Sequence, residues 1–390
     1  MPHIAEHLNQ HKLRLLSAVS FVLSITTALL TYLESKYLVQ LIGERWSGLG
    51  FFIAYGITLV VLDNLARIVN RFGKMHTALL FTSLTVASLG LLATLPPVPW
   101  LALPAFILYI VSLSLLWIVI DFFIEVYSSD AVTGEVRGRY LTIMNAGWVI
   151  TPFFALALFQ TYGFSFLFAL AALLTVPVFF VFRYAFQHVP DHLRHPVRFF
   201  TTLRMILQRR SLSYIFIVAF VLQFFYAWMV FYMPLHLSSL GFEPWEIGKI
   251  FTIMLLPFVL LQYPAGILAD RRWGEKELLI TGLAIMGIAT SAVFFVESKD
   301  FLVWAGILFA TRVGASLIEI MRDTYFFKQI DYRDLQLMSF FRNTGPLAYM
   351  MGPLIATLLL FFVERQTLFL ILGIFVLSSI FFAARLKDTR

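Results

Sequence analysis

The sequence predicts an all-α polytopic membrane protein, with twelve transmembrane helices in two six-helix bundles related by pseudo-two-fold symmetry. Three observations predict it. Sixty per cent of the 390 residues are apolar and 13% are charged, against roughly 45–50% and 25% in a soluble globular chain, and the mean hydropathy is +0.85. Twelve stretches are apolar over about 20 residues, the length of helix that crosses a hydrocarbon layer. The chain also repeats itself about 200 residues on. Phe21-Val22-Leu23 recurs as Phe220-Val221-Leu222, Tyr32 as Tyr232, Gly43 and Trp46 as Gly241 and Trp245, and Arg71-Phe72-Gly73-Lys74 as Arg272-Trp273-Gly274-Glu275. Asp121, Glu125 and Tyr127 fall opposite Glu319, Asp323 and Tyr325, and Asn145-Ala146-Gly147 opposite Asn343-Thr344-Gly345.

The predicted spans run over about 14–38, 48–68, 76–95, 100–126, 139–160, 164–183, 212–237, 247–268, 278–296, 301–327, 336–362 and 366–384. Pro96-Pro97-Val98-Pro99, Tyr162-Gly163 and Gly241 to Pro244 separate neighbours. The repeat divides the chain into a first bundle over 1–183, a linker over 184–211 and a second bundle over 212–390. In the linker Phe199, Leu203, Ile206 and Arg210 follow helical spacing, which predicts a basic amphipathic helix on a membrane surface. The first span is too long for a signal-peptide core and is expected to be retained.

Lysines and arginines orient the bundle. With both termini in the cytoplasm, twenty-one fall at the inner ends, from Lys12 and Arg14 to Lys387 and Arg390; only Arg45, Lys299 and Arg365 fall in outer loops. That asymmetry is the positive-inside pattern and predicts a multi-pass protein of the cytoplasmic (inner) membrane. It also accounts for the net charge of +7, so nucleic acid is not an expected partner. The absence of cysteine excludes disulfides, thiolate nucleophiles and cysteine-held metals. His3, His7 and His11, and His188, His192 and His195, lack a supporting ligand set, so no metal is expected. No phosphate-binding glycine loop or nucleophile–base set stands out; neither a cofactor nor enzymatic activity is expected.

Gly266-Ile267-Leu268-Ala269-Asp270-Arg271-Arg272-Trp273-Gly274-Glu275-Lys276 resembles the Gly-x-Leu-Ala-Asp-Arg-x-Gly-Arg-Lys loop of the major facilitator superfamily. With twelve spans, a six-plus-six repeat and a cytoplasmic middle loop, the resemblance covers nearly the whole chain. The first-half copy departs from the pattern, with Leu65 and Val69 where Gly and Asp belong. The arginine-rich motif of helix 4 is absent, and the Gly-Pro-x-x-Gly-Gly pattern of helix 5 survives only as Gly147 to Pro152. The resemblance therefore names no subfamily. It implies that helices 1, 4, 7 and 10 line a cavity, that 3, 6, 9 and 12 face lipid, and that the Asp270–Arg271 loop latches the halves together.

Charges inside spans are functional-site candidates, because each costs about 2.5–3.5 kcal/mol on insertion scales. Spans 3, 6, 9 and 12 carry none, apart from Arg183 at the inner end of span 6. In span 10, Arg312, Ser316, Glu319 and Asp323 form one helical stripe, with Arg312 about 15 Å into the span and near the midplane. Span 4 carries Ser114, Trp117, Asp121 and Glu125; span 1 carries Thr27, Thr31 and Glu34. Span 7 carries Gln223 and Tyr226, then Trp228, Tyr232 and His236. Arg312, Ser316, Trp117, Tyr32, Gln223, Tyr226, Trp228 and Tyr232 are the expected substrate-binding residues. Glu319, Asp121 and Glu34 are the expected proton-coupling acids. Glu125, Arg322, Asp323, Arg342, Asp63, Asp270 and Arg271 are expected in salt bridges that close the inner side, although Asp63 is also placed to pair with Arg67 one turn on.

These features lead to an expected function. A secondary transporter with no cofactor would move a small organic solute by alternating access and proton coupling, as a monomer surrounded by membrane lipids. Its solute would bear an anionic or zwitterionic group facing Arg312. Efflux of amphipathic drugs, and lipid scrambling or flipping on the same scaffold, are the alternatives. Because the natural chain has no cysteine, single-cysteine variants test the topology directly. A membrane-impermeant maleimide should label Lys299→Cys in intact cells and label Arg194→Cys only after lysis; the reverse pattern would invert the orientation.

Overall fold

The computed structural model describes residues 2–127, 133–187, 205–206, 208–269, 274–329, 341 and 343–387. Among them the chain is helical with no strand: α1 Pro2–Thr31, α2 Glu34–Ile42, α3 Glu44–Phe72, α4 Lys74–Thr94, α5 Pro99–Tyr127, α6 Thr133–Ala185, α7 Arg210–Ser239, α8 Pro244–Leu260, α9 Gln262–Leu268, α10 Glu275–Ala292, α11 Phe301–Gln329, α12 Thr344–Leu359, α13 Arg365–Ser378 and α14 Ile380–Ala383. Ten stretches are long and apolar enough to span a membrane; α12 is a shorter apolar helix. The stretch Ile143–Ala185 holds two spans, which meet at Gly163 with φ 73°. Twelve spans result, and the chain is a multi-pass membrane protein.

The repeat is written in the backbone as well. Positive φ occurs only at glycine among the described residues, and four of the five positions are repeat partners: Gly43 with Gly241, and Gly73 with Gly274. Gly73 and Gly274 stand immediately before α4 and α10, at φ 84° and 81°. A side chain there would meet the left-handed penalty that glycine avoids.

Two spans expected to be continuous are broken. α1 ends at Thr31 and α2 begins at Glu34. Thr26, Thr27 and Thr31 donate to the carbonyls of Val22, Leu23 and Thr27, a pattern that bends helices. The Leu33 amide bonds to Leu30 instead of one residue further back, which tightens the turn and presents Glu34 at the start of α2. The eighth span breaks at Leu261, between α8 and α9. Pro264 lacks the amide hydrogen that would bond Leu260.

The chain forms two compact units: residues 1–41 with 60–196, and 42–59 with 197–390. In the first, Gly147 lets α6 close on Ser24 of α1, and Thr85 donates to Ser112 across α4 and α5 at 3.0 Å. In the second, α10 and α11 cross where Gly282 faces Gly314, and α10 and α13 where Gly287 faces Gly373. A Cβ on Gly282 would lie 2.9 Å from the Gly314 carbonyl, and one on Gly373 would lie 2.7 Å from that of Gly287. Small residues at such crossings let helices approach where lipid gives no hydrophobic drive. Leu80, Leu91, Leu173, Phe180, Ile288 and Ile374 remain exposed. They lie on spans 3, 6, 9 and 12, which suits contact with lipid.

Residues 42–59, counted by the repeat with the first half, pack in the second unit. Arg365 at the start of α13 grips Glu44 at the start of α3 with two bonds of 2.7 Å and donates to the Leu235 carbonyl at 2.9 Å. One turn into α3, a Cβ on Gly48 would overlap Thr357 and the Pro353 carbonyl of α12. Deeper still, the Phe51 ring stacks on Phe231 at 3.8 Å. The ion pair is less than one-third exposed on both sides. A charge-assisted bond of this kind contributes about 1.5–3 kcal/mol, less after solvent screening. Glu44→Ala and Arg365→Ala should therefore each lower the thermal unfolding midpoint, and Glu44→Arg/Arg365→Glu should recover part of the loss. Additive effects in the double swap would show that the two charges are not coupled.

Candidate functional site

Polar groups on these helices divide into those already satisfied and those that are not. Most hydroxyls bond to a carbonyl three or four residues back, as Ser316 does to Val313 at 2.9 Å. Arg312 does not follow the pattern. It is 2% exposed, its Nη1 has no hydrogen-bond partner, and no carboxylate lies within 4.0 Å among the described residues. Its guanidinium instead lies 4.9 Å from the Phe225 ring centre and 5.6 Å from that of Tyr226. Aromatic faces attract a cation, but they do not neutralise it.

Tyr226 also reaches the other charge of the stripe. Its hydroxyl donates to Glu319 Oε2 at 3.3 Å, and Gln262 Nε2 donates to the same oxygen at 3.4 Å. Glu319, Tyr226, Gln262 and Gln223 are half-buried. The structure thus brings Arg312, Tyr226 and Glu319 together and adds Gln262 of α9. Gln262 was missed because it stands on the short helix after the break, outside any stripe. Arg322 bonds to its neighbour Asp323 at 3.1 Å and lies over the Phe341 ring.

The other substrate-binding candidates have their own partners. Trp228 donates to the Gly352 carbonyl at 2.7 Å and Tyr232 to that of Pro353 at 3.3 Å, and both are buried. Gln223 faces Gly345, where a Cβ would lie 3.9 Å from its Oε1. In the first unit, half-buried Trp117 donates to Thr27 at 3.1 Å, and Tyr32 is buried at the α1–α2 break.

Glu34 is buried at 6% exposure and accepts from the Tyr109 hydroxyl at 2.9 Å. No cation lies within 4.0 Å of it among the described residues. Tyr109 gave no sequence signal: one aromatic among the many in this chain. Asp121 is half-buried. The Asp63–Arg67 pair is not formed; Asp63 is exposed and Arg67 donates to Asn64 at 2.8 Å, because the amide oxygen three residues back is within easier reach. The side chains of Glu125, Asp270, Arg271 and Arg342 lie outside the described residues, as does most of the linker helix. Among the described residues no group of three His, Asp or Glu could hold a metal.

Residues 215–390 match the sequence profile of the Major Facilitator Superfamily. The fold is shared much more widely along the chain. A bacterial homolog of the human lysosomal transporter Spinster, solved inward-facing and unoccupied, aligns with TM-score 0.70 at 12% identity over 97% of this chain and 95% of that one. An auto-inhibited POT family peptide transporter aligns at 0.76, with 13% identity over 97% and 98%. The nucleoside transporter NupG aligns at 0.74, with 15% identity over 96% and 100%. At such identities the likeness is one of fold. The second half of the chain thus matches the major facilitator superfamily by sequence, and its whole length is similar to these transporters in fold.

Proposed function

We propose that the protein is a secondary active transporter, working as a monomer in the cytoplasmic membrane with both termini inside. It moves a small organic solute that carries an anionic group, by alternating access coupled to protons. One observation carries this reading: the buried, unpaired guanidinium of Arg312. An arginine in mid-span costs about 2.5–3.5 kcal/mol on insertion scales. As scaffold, that cost is offset by two rings and by Glu319 without a direct bond; an anionic solute at the same place offsets it by a charge-assisted bond.

Proton coupling is supported by Glu34, whose partner is a neutral phenol. With no fixed cation to keep it ionised, this carboxyl can take up and release a proton as its access to water changes. Alternating access is supported by α3, whose first half packs with the second unit and whose remainder packs with the first. Within the second unit the solute meets half-buried Tyr226, and Trp228 and Tyr232 hold α7 to α12 through their bonds to its carbonyls.

The test is uptake of a panel of labelled carboxylates by proteoliposomes under an imposed pH gradient. Wild type should concentrate at least one of them, and Arg312→Ala should lower that uptake about tenfold or more, the scale of a lost charge-assisted contact. Glu34→Gln should abolish accumulation yet preserve solute exchange at equal pH. Undiminished uptake by Arg312→Ala would refute the site, and gradient-driven accumulation by Glu34→Gln would refute the coupling role.

A further inference from the structure

Arg312 and Glu319 are opposite charges that share one tyrosine and have no ion pair between them. Arg312 lies over the Tyr226 ring, 5.6 Å from its centre. Glu319 holds the hydroxyl of that same side chain at 3.3 Å, and its other partner, Gln262, is also neutral. Arg322, three residues on, bonds Asp323 through Nε, and its Nη1 is buried without a hydrogen-bond partner. No lysine or arginine nitrogen lies within 4.0 Å of Glu319 among the described residues. One positive and one negative pole therefore stand in the same part of the second unit without a direct ion pair, with the phenol between them; Arg312 and Arg322 act on Glu319 only across a longer distance.

We propose that this is a two-pole site for a zwitterion. The solute's carboxylate binds Arg312, its ammonium binds Glu319, and the neutral chain between them lies along Tyr226. The inference rests on the reading of Arg312 given above and names the other half of the solute. A simple anion satisfies Arg312 but adds a second negative charge to the site that holds Glu319. A zwitterion satisfies both and leaves the net charge of the site unchanged. Both costs favour that solution where water is scarce. Half-buried Glu319, Tyr226 and Gln262 leave the acidic pole accessible to a ligand.

The spacing narrows the class. The two residues are seven positions apart on α11, a rise of about 10 Å, which their side chains shorten by converging on one tyrosine. The charges of an α-amino acid are only a few bonds apart. The favoured solute is longer, with its ammonium and carboxylate at the two ends of a short chain.

Thermal unfolding of the purified full-length protein tests this without a known substrate, because a ligand of the folded state raises the midpoint. The probes are glycine, 3-aminopropanoate, 4-aminobutanoate and 6-aminohexanoate, with butanoate and butylammonium as single-charge controls. Stabilisation should grow from glycine towards the longer members, and the best should bind about tenfold or more tighter than butanoate, the scale of one added charge-assisted contact. Glu319→Gln should abolish that advantage by weakening the amino acids and binding butanoate at least as tightly as wild type does. Butanoate binding as tightly as every amino acid of the series, no stabilisation by any member, or an unchanged series in Glu319→Gln would overturn the two-pole site. The first of these, with butanoate binding still dependent on Arg312, would leave the anion-binding reading standing; loss of that dependence would remove both.

Discussion

Inside a hydrocarbon layer every backbone polar group must find its partner within the chain. That constraint makes the described residues almost entirely helical. It also silences most side-chain hydroxyls, because a serine or threonine in mid-span can bond its own helix. Thr26, Thr27, Thr31, Thr58, Thr82, Thr85 and Thr290 all do so. Against this background of locally satisfied groups, the charges lacking an ionic partner stand out. Arg312, Glu319 and Glu34 are such charges, and the direct contacts of each are to aromatic or neutral groups.

Their placement has structural causes. Glu34 owes its position to the bend that three threonines impose on the first span, which turns the chain at Tyr32 and Leu33 and sets the carboxylate against Tyr109. Gln262 reaches Glu319 because proline breaks the eighth span one residue earlier. Tyr226 can touch both poles because it stands on α7, the helix most enclosed by its neighbours, with the adjacent rings of Phe225 and Phe224 buried. Breaks that look like imperfections in the helices thus carry the polar chemistry.

Much of the architecture was legible in the sequence, because hydropathy, loop charge and the repeat all report the same constraint. The paired glycines illustrate it: Gly43 with Gly241 and Gly73 with Gly274 stood out as repeat anchors, and their shared positive φ explains why glycine stands at all four. The Arg312 stripe drew attention because a charge inside an apolar span is rare. Partners from other helices were not. Tyr109 and Gln262 bear no periodic mark, and the bond from Arg365 to Glu44 joins residues 321 apart. A faint signal for that pair existed, since Arg365 is one of only three basic residues in the loops predicted to lie outside. Asp63 shows the opposite failure: helical spacing offered Arg67, but a nearby amide won.

The central claim is that Arg312 is kept for a ligand at a cost to the empty protein. The direct measurement is the thermal unfolding midpoint of ligand-free Arg312→Met beside wild type. The account predicts a higher midpoint, because a buried uncompensated charge is replaced by an apolar chain of similar length, together with loss of solute flux. A clearly lower midpoint would show that the guanidinium holds the fold together, and would contradict the claim.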